Sequence, residues 1–454
     1  MRKVLNSILF KINSLSILKQ ITFGFAAVIL LASLLLMLPI SSRSGQWTPY
    51  LTALFTATTS TCVTGLTVVD TYTYWSLFGQ IIILLLIQIG GVGFITLAIS
   101  ALTLTKKKIG LRQRLAAKEI SGASQVGGIV KITRFIIFGT LLVEAVGSFL
   151  LSFCFVPKLG FLKGFYFAVF HSVSAFCNAG IDLMSSFKNG PSLIAFRSDF
   201  FFIITIMALI ILGGLGFLVW KDVIECKFRF KKFRLQTKIV LVTTFGLILG
   251  GALLIYLFEN GGRAFGGLSQ GDSILSSFFQ SVTTRTAGFF SVNLPLLKDS
   301  TILIMCVLMF IGGSPGSTSG GIKTTSFAVL FMSIFLVFRK KQNVELFKRR
   351  ISKDAVYSAC CLMMLFFGLI ISSCTIISYV DGVPILYCLF ECTSAVATVG
   401  LSMGITPELS RLSKVILIIL MYIGRVGALT MLMTFTKKCE KVESKYIEEK
   451  IIVG

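Results

Sequence analysis

Four short stretches of this chain place a phenylalanine ten residues before a glycine: "LFTATTSTCVTGLTVVD", "VFHSVSAFCNAGIDLM", "SFFQSVTTRTAGFFSV" and "LFECTSAVATVGLSMG". The pairs are Phe55 with Gly65, Phe170 with Gly180, Phe278 with Gly288, and Phe390 with Gly400, and the glycines follow one another at intervals of 115, 108 and 112 residues. Glycine reaches positive φ without steric cost, so a glycine can turn a backbone carbonyl in a direction another residue would not allow. Four such carbonyls meeting on one axis could replace the water around a monovalent cation. The flanks differ: Val63 and Thr64, Asn178 and Ala179, Thr286 and Ala287, Thr398 and Val399, so any fourfold symmetry is approximate. Other chemistry is poorly supplied. One histidine and scattered carboxylates give neither a metal-ligand spacing nor a Ser/His/Asp arrangement, and the chain is read as a non-enzyme.

What must position these glycines is a membrane fold. Of 454 residues 55% are hydrophobic and 14% charged, and mean hydropathy is +0.89, which marks an integral membrane protein. Apolar segments at 21–40, 76–104, 133–156, 200–219, 239–258, 301–338, 359–380 and 413–436 give eight candidate spans. The first has no small-x-small cleavage site and opens a repeat, so it is kept in the mature chain. Each unit holds two spans with a glycine-bearing segment between them, and reaches a second glycine cluster later: Gly90 and Gly91, Gly213 and Gly214, Gly312 and Gly313, Gly424 and Gly427. The implied divisions are a cytoplasmic segment 1–20, units 21–110, 111–225, 226–345 and 346–436, and a tail 437–454.

Units that enter the bilayer facing the same way favour an axis along the membrane normal. A dozen helical residues reach about 18 Å, half-way into a core about 30 Å thick. The return must be irregular backbone, tolerated at that depth only where protein buries it or water lines it, so the four returns belong around a central cavity. Helices descending from outside point their negative ends at that cavity and favour a cation. The net charge of +24 is lopsided: residues 1–20 hold four basic residues, 105–134 eight, 221–238 seven, 339–353 seven and 437–454 five, against nine in the alternate connections. That places both termini on the cytoplasmic side and makes a nucleic-acid partner unnecessary. Eleven cysteines without a CxxC pair read as small packing residues.

Two further features bear on the pore. In "MFIGGSPGSTSGGIKTT" (309–325), Pro315 removes a donor and Gly312, Gly313, Gly316, Gly320 and Gly321 weaken helix, so the intramembrane stretch 312–324 should unwind. The hydroxyls of Ser314, Ser317, Thr318 and Ser319 then need partners, and we read the stretch, with Lys323, as a gate; the alternative is a kink that serves packing. The matching "IQIGGVGFIT" of the first unit is expected to stay helical. Ile322 precedes Lys323 where a phosphate loop needs glycine, so nucleotide binding is set aside. Arg425, deep in the last span, is expected to face the cavity and latch this loop, the alternative being snorkelling to the cytoplasmic edge. His171 and Glu391 read as hydrogen-bonded supports, Glu144 as a packing contact, and Arg285 and Asp182 have no assigned partner.

The stretches "TCVTGLTVVDT", "HSVSAFCNAGIDL", "TTRTAGF" and "GGSPGSTSGGIKTTSF" resemble the Trk/Ktr/HKT superfamily of potassium uptake proteins over essentially the whole chain. With eight spans and no extra N-terminal helix pair, the chain is most similar to the Ktr-type (KtrB-like) membrane subunit. The resemblance implies an all-α integral membrane protein of four tandem parallel M1-P-M2 repeats, pseudo-fourfold about one central pore, with eight transmembrane helices and four re-entrant pore loops. It implies a potassium filter at Gly65, Gly180, Gly288 and Gly400 with the preceding Thr64, Ala179, Ala287 and Val399, potassium preference because Gly65 is not serine, the gate loop at 312–324, and the latch at Arg425. It also implies a homodimer in the cell membrane, and a cytosolic RCK-type nucleotide-binding ring (KtrA-like) on which ATP or ADP binds, this chain holding no cofactor. Sodium stays open as a second transported or coupling cation. The rival readings are a coupled secondary cation symporter with a midplane site and a membrane sensor that carries no flux.

Overall fold

A computed structural model describes residues 17–93, 129–187, 192–338, 345–347, 349–428 and 431. The expected N-terminal segment up to residue 16, the basic connection 94–128 and the tail 432–454 lie outside the described residues. In chain order the helices are α1 Ile17–Met37, α2 Tyr50–Thr61, α3 Leu77–Val92, α4 Ile129–Leu159, α5 Phe161–Phe176, α6 Phe200–Leu215, α7 Phe217–Glu225, α8 Leu235–Glu259, α9 Gln270–Thr283, α10 Asp299–Phe310, α11 Thr324–Phe338, α12 Lys353–Asp381, α13 Ile385–Ala397 and α14 Arg411–Val426. A single pair of two-residue strands, Glu345–Leu346 and Arg349–Arg350, is the described β-structure.

Among the described residues four helices, α1, α4, α8 and α12, are long and apolar enough to cross a bilayer. They turn apolar side chains outward as well as inward: Phe138 is 71% exposed, Leu142 66% and Met364 73%, as expected of a surface solvated by lipid rather than water. The short helices α2, α5, α9 and α13 do the opposite and bury polar residues. In α2 the hydroxyls of Thr56, Thr58 and Ser60 donate to the carbonyls of Thr52, Leu54 and Thr56 at 2.9, 2.7 and 2.7 Å, so a threonine-rich helix can sit in the centre with these three hydroxyls satisfied locally.

Helices α3, α6 and α14 start on side-chain caps: Ser76, Asp199 and Ser410 accept from the backbone N–H of Gly79, Phe202 and Ser413. Their packing closes a ring. α3 lies on α5, α6 on α9, α10 on α13, and α14 returns to α2, so the last helix meets the first short one.

Of the eight candidate spans, one is expected to be interrupted, at 312–324; among the described residues three others also break or end at a glycine. Besides the four long helices, α6 and α7 pass as a broken span bent by 91°. α3 is not helical through "IQIGGVGFIT": it ends at Gly93, at φ 86 and ψ 127, with the Gly93 N–H still bonded to Ile89 O at 3.1 Å. Gly216 at φ 93, ψ 138 and Gly427 at φ 93, ψ 125 stop α6 and α14 in the same way. A side chain disfavours that backbone region, so three second helices share a glycine break and α10 breaks at the proline loop instead.

Candidate functional site

The site is built where the four short helices end. The residue two before each glycine is left-handed: Val63 at φ 55, Asn178 at 59, Thr286 at 71 and Thr398 at 52. The glycine follows with positive φ: Gly65 at 102, Gly180 at 63, Gly288 at 84 and Gly400 at 91. Between them the N–H of the intervening residue is tied back to its short helix, Thr64 to Thr59 O, Ala179 to Ser174 O and Val399 to Ser394 O at 2.8 Å, and Ala287 to Thr283 O at 2.9 Å.

The four glycines adjoin one another in a cycle. A methyl group at Gly65 would lie 2.5 Å from Ala179 O, one at Gly180 2.6 Å from Ala287 O, one at Gly288 2.6 Å from Val399 O, and one at Gly400 against Thr64 O. All eight residues singled out from the sequence are therefore brought together, each glycine filling the space beside the next carbonyl. Above them opens a cavity of about 290 Å³ that touches all four glycines and carries Asp70 and Asp182 on one side.

The ring is held in two ways. The N–H groups of Gly65 and Gly400 donate to the hydroxyls of Thr59 and Ser394, both at 3.0 Å. In the other two segments the hydroxyl donates outward instead, Ser174 to Ile181 O at 2.6 Å and Thr283 to Phe289 O at 2.5 Å. His171 and Glu391 lie outside the ring and hold the backbone that follows it. His171 Nδ1 donates to Phe167 O at 2.8 Å and its Nε2 accepts from Leu183 N at 3.3 Å. The Glu391 carboxylate accepts from Met403 N at 3.0 Å and from the hydroxyls of Ser402 and Thr406. Leu183 and Met403 each stand three residues after their glycine, so one device serves two segments with different chemistry.

The stretch after α10 runs beneath this ring without helix. Ile311 and Ile322 bridge its mouth in parallel. Ser314 N donates to Gly214 O at 3.0 Å, Thr318 N to Gly213 O at 3.3 Å, Thr318 Oγ1 to Phe176 O at 3.3 Å, and Phe217 N to Gly316 O at 2.9 Å. Within the loop Ser317 Oγ donates to Ser314 O at 2.7 Å and Thr324 N to Gly313 O at 3.1 Å. Lys323 folds back, its Nζ donating to Ser319 O at 2.7 Å and Gly320 O at 3.4 Å. Space is tight: a methyl group at Gly312 would lie 2.5 Å from Gly320 O, at Gly321 3.2 Å from Ala397 O, and at Gly320 against the side chain of Thr398. Residues 311–322 thus bear on the second segment at one side and on the fourth, across the ring, at the other.

Arg425 closes the arrangement. Its Nη1 donates to Thr318 O in the loop, and its Nη2 donates to Gly90 O and, at 3.4 Å, to Gly91 O at the end of α3. The guanidinium reaches inward to carbonyls, not out to the cytoplasmic edge; the negative end of the α3 dipole and three free carbonyl lone pairs suit it.

Glu144 sits in a packing contact: Gln88 Nε2 donates to its carboxylate at 3.0 Å, and Ser172 Oγ to its backbone carbonyl at 2.8 Å. Arg285 is 7% exposed and stands apart from the ring, beside Thr244 and Gly214; its Nε and Thr244 Oγ1 have no partner among the described residues. Two features escaped the sequence reading. The glycine breaks could have been seen at Gly93 and Gly216, each shortly after its cluster, and at Gly427, which closes the fourth cluster itself. Asn178 could have been seen as the single flank residue whose side chain donates and accepts from separate atoms.

A family model described as TrkH, cation transport protein, matches residues 19–446 of this chain. The potassium/sodium uptake protein NtpJ of Enterococcus hirae is 39% identical over 446 residues, covering 97% of this chain and 98% of that protein. The Ktr system potassium uptake protein B of Bacillus subtilis is 36% identical over 435 residues, covering 96% of each. The crystal structure of the potassium transporter TrkH from Vibrio parahaemolyticus superposes with a TM-score of 0.72 at 16% identity, over 92% of this chain and 84% of that one, so the two share a fold.

Proposed function

We propose a potassium uptake pore from the premise that this chain belongs to the TrkH family of cation transport proteins. It is a multi-pass membrane protein and its relatives are membrane cation transporters, not enzymes. The finer reading is four M1-P-M2 repeats about one pore: α1–α2–α3, α4–α5–α6 with α7, α8–α9–α10 with α11, and α12–α13–α14. In it the carbonyls of Thr64, Ala179, Ala287 and Val399, with those of Gly65, Gly180, Gly288 and Gly400, exchange for the hydration shell of potassium. The ends of α2, α5, α9 and α13 contribute a negative potential at the same point. What carries this reading is the cyclic contact of the four glycines, which leaves no room for a side chain at any of them.

The loop 312–324 is the gate and Arg425 its latch. The loop lies across the ring between opposite segments, and its backbone groups are satisfied by neighbours that a short displacement would replace with water. Both termini are cytoplasmic in this reading. The basic connections face an acidic cytosolic partner of the RCK type that binds ATP or ADP, and the membrane subunit is a homodimer. The names of the Ktr system relatives, which describe components of a system, support a separate partner.

The test is rubidium and potassium uptake into liposomes holding the purified chain, with and without sodium, for the wild type and Gly288→Ser. A substituent at Gly288 meets Val399 O at 2.6 Å from backbone at φ 84, and strain of about 1–3 kcal/mol there should cut uptake by about tenfold or more. Undiminished uptake in this variant would remove the ring from the conduction path. Wild-type uptake that stops when the sodium gradient is removed would favour the symporter reading.

A further inference from the structure

The ring and the loop beneath it touch through one polar side chain. Asn178 stands two residues before Gly180 in the left-handed region, at φ 59. Its amide bonds the Ser319 hydroxyl of the loop at 2.9 Å whichever way the amide is turned. In the orientation that satisfies both ends, its oxygen accepts from Ser319 Oγ while its nitrogen donates to Ala175 O at 3.0 Å and to Ile210 O at 3.2 Å. Turned over, the nitrogen donates to Ser319 Oγ and, at 3.3 Å, to Thr286 Oγ1 of the next segment. Either way one side chain joins a ring segment to the loop and to a neighbouring element of the ring wall.

The residues in the same place elsewhere are Val63, Thr286 and Thr398. None can donate and accept from separate atoms as an amide does. Thr398, across the ring from Asn178, meets the loop only by packing: Gly320 has no room for a side chain beside it, and Thr398 Oγ1 has no hydrogen-bond partner among the described residues. The loop therefore bears on two opposite left-handed residues, one through a hydrogen bond and one through van der Waals contact. Both Asn178 and Ser319 are buried, at 1% and 4% exposure, so water cannot replace the bond until the loop moves.

We propose that the Asn178–Ser319 bond makes the loop part of the ion-selecting structure, so that displacing the loop alters which cations pass as well as how many. This rests on the reading of the four glycines as a filter and of the loop as a gate. The left-handed backbone at Asn178 aims the following Ala179 carbonyl toward the ring, and the amide's bonds to Ala175 and Ser319 hold it. When the loop leaves, the amide loses its buried donor, and of these two left-handed residues Asn178 alone loses a hydrogen bond, Thr398 losing only packing. The ring then becomes less discriminating toward a smaller cation, whose binding asks for carbonyls at a different spacing.

The experiment measures rubidium and sodium influx in the same proteoliposomes, made with the full chain. The variants are Ser319→Ala, Asn178→Ala, the double variant and Arg425→Ala. One neutral buried hydrogen bond is a factor of roughly two to ten, so the sodium-to-rubidium ratio should rise by that factor in Ser319→Ala and in Asn178→Ala. The double variant should rise no further than the larger single change. Arg425→Ala, which keeps both partners but frees the loop, should raise the ratio together with the flux. The proposal is overturned if Ser319→Ala leaves the ratio at its wild-type value, if the double variant shows the product of the single effects, or if Arg425→Ala raises flux at constant ratio. Should Asn178→Ala fail to fold, Ser319→Ala and Arg425→Ala still decide it. The gate reading fails separately, on the absolute rubidium flux through Arg425→Ala.

Discussion

Arg425 joins two parts of the chain that no local sequence links, so removing it has a calculable effect on the proposed gate. Its guanidinium holds the loop through Thr318 O and is itself anchored on Gly90 O and Gly91 O. Hydrogen bonds to a charged group contribute about 1.5–3 kcal/mol each. The bond to the loop is lost in Arg425→Ala, while the neutral bonds from Ser314, Thr318 and Phe217 remain. The closed state should therefore lose about 1.5–3 kcal/mol relative to the open one, a factor of roughly 10–150 in their ratio. The assay is rubidium influx into proteoliposomes containing the chain without a cytosolic partner. Arg425→Gln separates latch from charge. A glutamine still donates to a carbonyl, so a latch predicts flux between that of wild type and alanine, whereas pure repulsion of cations predicts that glutamine and alanine conduct alike. Wild-type flux in Arg425→Ala, from protein of unchanged melting temperature, would refute the latch.

Three other perturbations follow from the same geometry. Thr59→Val deprives the Gly65 N–H of its 3.0 Å acceptor and leaves a buried donor unpaired, so rubidium uptake should fall and thermal stability drop by about 1–3 kcal/mol, read by uptake and by unfolding in detergent. Glu391→Leu removes three accepted bonds at the outer side of the fourth segment; the melting temperature should fall further than in Thr59→Val, and an unchanged one would deny Glu391 its supporting role. Gly216→Ala forces a side chain into backbone at φ 93, 2.7 Å from Pro315 O, with strain of about 1–3 kcal/mol; basal flux should rise as the loop is pushed away, and a flux and stability equal to wild type would show that the break tolerates a side chain.

Much of the four-glycine ring was legible because its determinants are local. A phenylalanine ten residues before a glycine, at four sites, marked the short helices and their turns, and the same four glycines lie in one ring. Pro315 among five glycines marked the loop through backbone chemistry alone. The legible part stops where a contact joins residues far apart in the chain. Gly93, Gly216 and Gly427 sit in apolar stretches that read as continuous helix, and a glycine there serves close packing as readily as a break. At Gly216 the deciding neighbours are Pro315 O and Gly316 O, about a hundred residues away. Asn178 and Ser319 likewise carry no local signal of each other. His171 and Glu391 were recognisable as supports by their shared offset, but the backbone N–H groups they hold, Leu183 and Met403, required the fold.

The most direct test of the central claim is crystallographic: crystals of the chain grown in rubidium, with anomalous scattering used to locate the cation. The account predicts an anomalous peak on the axis enclosed by Gly65, Gly180, Gly288 and Gly400, in contact with the carbonyls of Thr64, Ala179, Ala287 and Val399. Rubidium sites found only away from that ring, with its centre filled by protein atoms, would contradict it.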